Sequence, residues 1–522
     1  MLSLRLPGGR GLPRTRGARR AVKAAPDRAR ARRVRLWVAI LVAALAALGP
    51  VLEGSLGDGL GWTIGLVILM LVPSLARAGG PRFHPLDPET YVPVTYFLSV
   101  AYTPVLRLLM SSTLHLSSRD EAAMEVAYAG AAGCALVCTA LSRPPEAPNL
   151  ERLVPMQKPK AILDHDWGNM VVGVLGLGLV FAWIASIGVR RFFTLSYADT
   201  YLEGFGKGIL ISGWYLIQLA AVYFFLRFAS LRKARLRVPT LVSVAGASFL
   251  LSFLIYTATG RRGALIFAVA SVGLGLHAFG VQIRRLWLAI GVVCAIFYGI
   301  AIDGFRFKQG SGLDAQLESA AARLEQTENV LDIVELQRVY DNLASIVNEE
   351  PPLVNYPGES WVNAVLILVP SPLWQDRPLA LSQRYVMWKD PDFARSGGGY
   401  AMSAAAEGYV NFGLVGTFIQ ISVMCGVFFM LPLVVAAARE TSLLGRATGA
   451  CLASFAYNQF RGELTALLKI TLTLGIGVLV ALVTASFAKL VRRKLAAMAK
   501  VRHGYERPLR HRRLGQPSSS GQ

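Results

Sequence analysis

Three polar residues recur at a regular spacing where a long polar segment meets an apolar run. Ser403, Glu407 and Asn411 are four residues apart within GGGYAMSAAAEGYVNFG, residues 397–413. A helix that begins after the glycines would place all three on one face. A carboxylate oriented by a hydroxyl and an amide can take up a proton, so Glu407 is the first candidate for a general base. The alternative is a charge that only stabilises the first turn of a helix.

Arginines form a second set of candidate residues. They lie in the turn TGRRG (Arg261, Arg262), in the long polar segment (Arg306, Arg377, Arg384) and in RGE (Arg461). The guanidinium fork matches phosphate oxygens, so the turn pair Arg261 and Arg262 predicts an anion site. The alternatives are structural: the turn pair would snorkel to headgroups, Arg461 would pair with Glu463 or a neighbouring helix, and Arg377 and Arg384 would be solvated loop residues. If Glu407 is not the general base, Asp303 and Glu463 are the reserve candidates for that role.

The composition defines the class of protein that must position these residues. Of 522 residues, 54% are hydrophobic and 16% charged, and mean hydropathy is +0.46, which is typical of a polytopic membrane protein. The two ends, residues 1–35 and 489–522, hold +20 of the net charge of +22. Such ends indicate cytoplasmic tails that attract anionic lipids. A nearly neutral body without a basic, aromatic-lined groove argues against nucleic-acid binding.

Apolar runs predict an all-α fold with about twelve transmembrane helices. They lie near 36–52, 60–76, 91–110, 122–141, 168–188, 205–226, 239–258, 263–281, 286–302, 411–437, 446–460 and 464–488. Short basic loops place both termini in the cytoplasm. The predicted domains are a basic tail (1–35), about nine helices (36–302), a mainly helical external loop (303–410), about three helices (411–488) and a second basic tail (489–522).

All five cysteines fall inside the apolar runs, where they are most simply small core residues. We therefore expect no disulfide and no metal site.

The order of these features resembles the oligosaccharide repeat-unit polymerases, the Wzy-type O-antigen and capsule polymerases of bacterial envelopes. The resemblance lies in TGRRG at 259–263, VPSPLWQDRP at 369–378 and GGGYAMSAAAEGYVNFGLVG at 397–416, with weaker similarity in FHPLDP at 83–88 and RGE at 461–463.

The resemblance implies a GT-C-like architecture in the bacterial inner membrane and a metal-independent glycosyltransferase without a cofactor. Its substrate would be a polyprenyl-pyrophosphate-linked oligosaccharide, and the growing glycan would pass to the non-reducing end of a new unit at the external face. Arg261, Arg262 and Arg461 would stabilise the departing pyrophosphate, with the loop arginines and the polar stripe beside them. A chain-length regulator and a flippase would be partners.

Three other functions stay open at this point. A glycan ligase of similar architecture would commonly use an external histidine, and no histidine lies in residues 303–410. A transporter or flippase suits twelve spans, but the charged residues gather at one predicted face instead of along a path through the membrane. A structural partner without chemistry would tolerate loss of the arginines.

Overall fold

The computed structural model describes residues 44, 48–57, 59–78, 86, 88–110, 116–141, 159–194, 207–233, 239–257, 263–279, 281, 283–306, 334–370, 373–395, 399–436 and 442–513. The regular elements with defined ends in these ranges are all α-helices. We number them α1 to α19. They form one apolar core that extends from the first helices to the last.

The amino-terminal part holds α1 (Leu60–Ala78), α2 (Pro88–Val100), α3 (Tyr102–Met110), α4 (Ser118–Leu141), α5 (Pro159–Ile187), α6 (Val189–Thr194), α7 (Gly208–Ile211), α8 (Gly213–Lys233), α9 (Thr240–Thr257), α10 (Gly263–Ala278) and α11 (Arg285–Arg306). The carboxy-terminal part holds α12 (Val334–Glu349), α13 (Glu359–Leu366), α14 (Leu381–Lys389), α15 (Pro391–Arg395), α16 (Ala404–Ala436), α17 (Ser442–Ser454), α18 (Ala456–Phe460) and α19 (Leu464–Arg513).

Several helices are long and apolar enough to cross a membrane. Within the described ranges, five qualify, namely Ser118–Leu141, His165–Ile187, Gly208–Arg232, Ala404–Met430 and Leu464–Met498. The predicted span at 91–110 is a pair of helices bent by 63°. Shorter apolar helices occupy four more of the predicted spans, Leu60–Pro73, Val242–Ser252, Leu265–Ala278 and Leu286–Ala295. The total of twelve and the GT-C-like architecture therefore stay predictions.

Helix α16 is broken at residues 412 and 413, where the sequence predicts a continuous helix that leads into a transmembrane span. Phe412 (φ −148°, ψ 28°) and Gly413 (φ 62°, ψ −146°) leave the helical region. The Thr417 hydroxyl donates to the carbonyl of Ala405 over 3.0 Å, whereas twelve residues of continuous helix would separate them by about 18 Å. The chain thus folds back as a hairpin with a short arm, residues 404–411, and a long arm, residues 414–436.

Glycines allow the two arms to touch. A Cβ on Gly408 would lie 2.6 Å from the Thr417 Cα, and one on Gly416 would overlap the carbonyl of Gly408. Neither position can therefore carry a side chain without separating the arms. Gly408 and Gly416 of the sequence motif therefore allow the hairpin to form.

The long arm also packs closely on α4. A Cβ on Gly133 of α4 would lie 2.6 Å from the carbonyl oxygen of Phe418, so small residues bring these two backbones together. Cys134, Cys138 and Cys425 are buried at this contact.

Helix α12 fastens the predicted loop domain to the amino-terminal helices. Its Tyr340 hydroxyl donates to the carbonyl of Asp120 over 3.0 Å. Arg107 of α3 pairs with Asp120 at 3.0 Å and with Asp341 of α12 at 2.6 Å. The charges of these three helices thereby pair with one another.

Candidate functional site

The carboxylate of Glu407 is the centre of a buried junction. Its Oε1 accepts a hydrogen bond from the Ser360 hydroxyl at 2.9 Å. Its Oε2 accepts from the backbone N–H of Leu464 at 2.6 Å and from the Gln420 amide. These donors belong to α13, α19 and the long arm of α16. One side chain, only 1% exposed, therefore joins three separate elements.

The polar stripe predicted from the sequence forms and supports this junction. Ser403 caps the short arm, since its Oγ accepts from the N–H of Ala406 at 3.1 Å. Asn411 donates to the carbonyl of Glu407 at 2.8 Å and to the Ser360 hydroxyl at 2.6 Å. Its Oδ1 accepts from the N–H of Gly358 at 3.0 Å. Ser360 is thus held as a donor toward Glu407, because its acceptor side is engaged.

A second carboxylate, Glu463, lies beside the first. The two groups interact electrostatically, and Glu463 accepts the N–H and the hydroxyl of Ser382 at 3.0 and 3.1 Å, one on each oxygen. Burial raises the pKa of Glu463 above its ordinary value, although the hydrogen bonds from Ser382 oppose this effect. The group is therefore prepared to hold a proton more strongly than a solvated glutamate.

Three cations lie near the start of α19, where Glu463 is. Lys469, in the second turn of α19, interacts electrostatically with Glu463 and with Arg377. Arg377 is positioned by donating to the carbonyls of Ile367 and Val369, both at 3.1 Å. Arg461 precedes Glu463 by two residues, and its guanidinium lies 6.0 Å from the ring centre of Tyr457. Together they form a positive environment around the start of α19.

Arg384 has protein partners. It pairs with Glu359 at 2.7 Å and donates to the carbonyl of Leu353 at 3.0 Å. Glu359 also accepts from the N–H of Asn355 at 2.5 Å. Burial disfavours the charged form of Glu359, but the hydrogen bonds from Arg384 and Asn355 outweigh this effect. They hold the pKa of Glu359 below its ordinary value. Because Ser360 follows directly, this ion pair positions the residue that donates to Glu407.

The remaining predicted residues have no described side chain. Arg261 and Arg262 lie outside the described residues, so their place in the site stays a prediction. Asp303 and Arg306 lie in the last turns of α11, where the backbone is helical.

Sequence reasoning missed four contributors, Ser360, Gln420, Ser382 and Lys469. Gln420 accepts from the Trp361 indole N–H at 2.7 Å while it donates to Glu407. Its spacing of 13 residues from Glu407 fits no helical repeat, and it becomes a neighbour only through the hairpin. Gly413 is the signal that could have indicated the turn.

Cys134, Cys138 and Cys425 lie close enough to share a metal ion, since their sulfurs are within 4.8 Å of one another. A set of three thiols suits a soft metal ion such as Cu(I). The small residues around it also fit a tight helix contact.

The apolar helices and the polar junction define an integral membrane protein with a buried carboxylate pair at the ends of its helices. The family described as O-antigen polysaccharide polymerase Wzy matches residues 213–491, which is more than half of the chain. The chain therefore belongs to the O-antigen polysaccharide polymerases, which act on lipid-linked oligosaccharide repeat units. No curated protein and no solved structure matches it.

Proposed function

We propose that this protein lengthens a glycan by transferring the growing chain from polyprenyl pyrophosphate to the non-reducing end of a new lipid-linked repeat unit. The family match carries this proposal, because residues 213–491 include the whole Glu407 junction. The reaction would take place at the external face of the bacterial inner membrane, with both termini in the cytoplasm. A chain-length regulator and a flippase would act beside it.

In the proposed reaction, a hydroxyl oxygen of the acceptor sugar attacks the anomeric carbon of the donor glycan. The bond from that carbon to the pyrophosphate oxygen breaks, and the hydroxyl proton passes to a carboxylate. Negative charge then grows on the departing pyrophosphate. Arg377, Arg461 and Lys469 are the described cations placed to stabilise it, with Arg261 and Arg262 proposed beside them. The cations would perform this task without a metal ion.

The two carboxylates suit different tasks. Glu407, the first candidate from the sequence, accepts from donors on three separate elements, so we assign it to positioning the site. We assign proton transfer to Glu463, because its described hydrogen bonds come from Leu381 and Ser382 at the start of α14 alone and it lies close to Lys469. The Ser382 hydroxyl marks the place where an acceptor hydroxyl would donate to Glu463.

The proposal is tested with purified protein in nanodiscs and lipid-linked repeat units isolated from the host. Glu463→Gln should lower kcat about 100-fold or more with little change in KM, because the proton acceptor is lost but the glycan contacts are kept. Glu350→Gln, a change of another glutamate at the end of α12, should behave as wild type. Equal kcat values for wild type and Glu463→Gln would remove Glu463 from the mechanism.

The anion site has its own test. Lysine retains the charge but lacks the planar fork, so Arg261→Lys and Arg262→Lys should weaken binding of the lipid pyrophosphate about tenfold. Unchanged affinity in both variants would mean that these arginines only contact membrane headgroups.

A further inference from the structure

A cluster of aromatic side chains lies on α14, α15 and the segment before α16. The rings of Tyr385 and Trp388 stack with centroids 5.9 Å apart, and Phe393 lies 5.3 Å from Tyr400. Tyr385 also meets Tyr400 edge to face at 6.1 Å. Tyr385 is buried beneath the others, whereas Trp388 is 37% and Phe393 is 39% exposed. We call Trp388, Phe393 and Tyr400 the aromatic platform.

Polar groups are mixed with these rings. Asp390 lies between them, since its Oδ2 accepts the Tyr400 hydroxyl at 3.3 Å and its Oδ1 accepts the N–H of Phe393 at 3.0 Å. Asp392 and Arg395 are exposed at the edge and pair with each other. A pyranose ring presents C–H bonds on its faces and hydroxyls around its rim, so it fits aromatic surface bordered by carboxylates.

The chain connects the platform directly to elements of the Glu407 junction. Helix α14 begins beside Glu463 through Ser382 and reaches Trp388 six residues later, an axial rise of about 9 Å. Tyr400 precedes Ser403, the cap of the short arm, by three residues. Both ends of the platform are therefore fixed to elements of the site.

The surroundings of the platform favour an aqueous occupant over lipid. Lys389 extends over the Trp388 ring at 5.6 Å and pairs with Glu349 at 2.8 Å. Arg119 lies 3.8 Å from the same carboxylate. An aromatic residue that anchors in the headgroup layer needs an apolar side toward the hydrocarbon, whereas these neighbours are charged and partly exposed.

We propose that the aromatic platform binds the part of the glycan that lies beyond the bond being formed and so keeps a growing chain on the enzyme. This inference rests on the proposed polymerase function and adds a second binding surface to it. The first transfer needs only the junction, whereas repeated transfers also use the platform. Loss of the platform should therefore shorten the products more than it slows the first addition.

The test compares Phe393→Ala and Trp388→Ala with Trp287→Ala, a control at a 63% exposed tryptophan on α11. In nanodiscs with the host's lipid-linked units, both platform variants should join two units at a near wild-type rate but yield chains at least twofold shorter. Binding of lipid-free oligosaccharide, released from the same units by mild acid, should weaken about fivefold. Trp287→Ala should match wild type in all three measurements.

Two results would overturn the proposal. One is unchanged chain length and oligosaccharide affinity in both platform variants. The other is quenching of Trp388 fluorescence by brominated phospholipid, measured as the difference in quenching between wild type and Trp388→Phe. Such quenching would mean that the cluster is a membrane anchor. If wild type consumes no lipid-linked units, the polymerase proposal fails, while the oligosaccharide binding measurement still decides whether the platform holds a glycan.

Discussion

The side chain of Glu407 accepts a 2.6 Å hydrogen bond from the backbone N–H of Leu464, the first residue of the last helix. This contact ties the short arm of the hairpin to the amino-terminal end of α19. A carboxylate is favoured there because the first N–H groups of a helix have no partner within the helix and carry partial positive charge. Glu463 and Lys469 depend on the same helix start for their positions.

Two replacements of Glu407 should distinguish the effect of its charge on activity from the effect of its size and hydrogen bonds on stability. Glu407→Ala leaves three donors without their acceptor and should cost about 3–5 kcal/mol of stability. Glu407→Gln retains the size and one acceptor oxygen, so it should fold better but polymerise at least tenfold more slowly. Thermal unfolding in detergent and the rate of unit consumption measure the two effects. A Glu407→Gln enzyme with the wild-type rate would exclude a role for the charge.

The hairpin should depend on its two contacting glycines. Gly416→Ala places a methyl group against the carbonyl of Gly408 and should destabilise the protein by about 2–4 kcal/mol. Gly426→Ala on the same arm is the control, because no atom of another described element lies within 4 Å of the added methyl group. The yield of folded protein after detergent extraction compares them. Equal yields would show that the arms do not pack in the way described.

We expect Gln420 to support stability and activity through both its amide N–H donor and its amide oxygen acceptor. Gln420→Leu removes a donor to Glu407 and the acceptor of the Trp361 indole, so stability should fall by about 2–3 kcal/mol and activity with it. Ser422→Ala, two residues further along the same arm, provides the control. The Ser422 hydroxyl is buried and has no hydrogen-bond partner among the described residues, so its loss should be neutral. Similar losses in both variants would contradict a specific role for Gln420.

The ion pair of Arg384 with Glu359 predicts a pH dependence of stability. The pKa of Glu359 is lower in the folded protein, so the pair stabilises it above the unfolded pKa of about 4.3 and this contribution is lost as pH falls below that value. Arg384→Gln should remove about 1–2 kcal/mol at neutral pH and less at pH 3. Thermal unfolding at both pH values gives the difference. The same loss at both would mean that Arg384 acts by packing alone.

Sequence patterns predicted the residue types of the site better than their arrangement. The four-residue spacing of Ser403, Glu407 and Asn411 requires only local helix geometry, and the structure has Glu407 and Asn411 on the short arm with Ser403 as its cap. The partnership of Glu407 with Gln420 depends on a reversal of the chain, which helical periodicity does not encode. Ser360 and Ser382 come from short helices of the loop, whose docking depends on tertiary contacts and leaves no repeat in the sequence.

We propose that glycan polymerisation takes place at the carboxylate pair and uses Glu463 as the proton acceptor. The most direct measurement adds purified wild type, Glu407→Gln and Glu463→Gln to lipid-linked repeat units and follows both glycan length and released polyprenyl pyrophosphate. We expect wild type to produce a ladder with one pyrophosphate released per new linkage, and Glu463→Gln to produce neither. A normal ladder from Glu463→Gln would exclude Glu463 as the proton acceptor, and polymer formation without any release of polyprenyl pyrophosphate would exclude the proposed transfer.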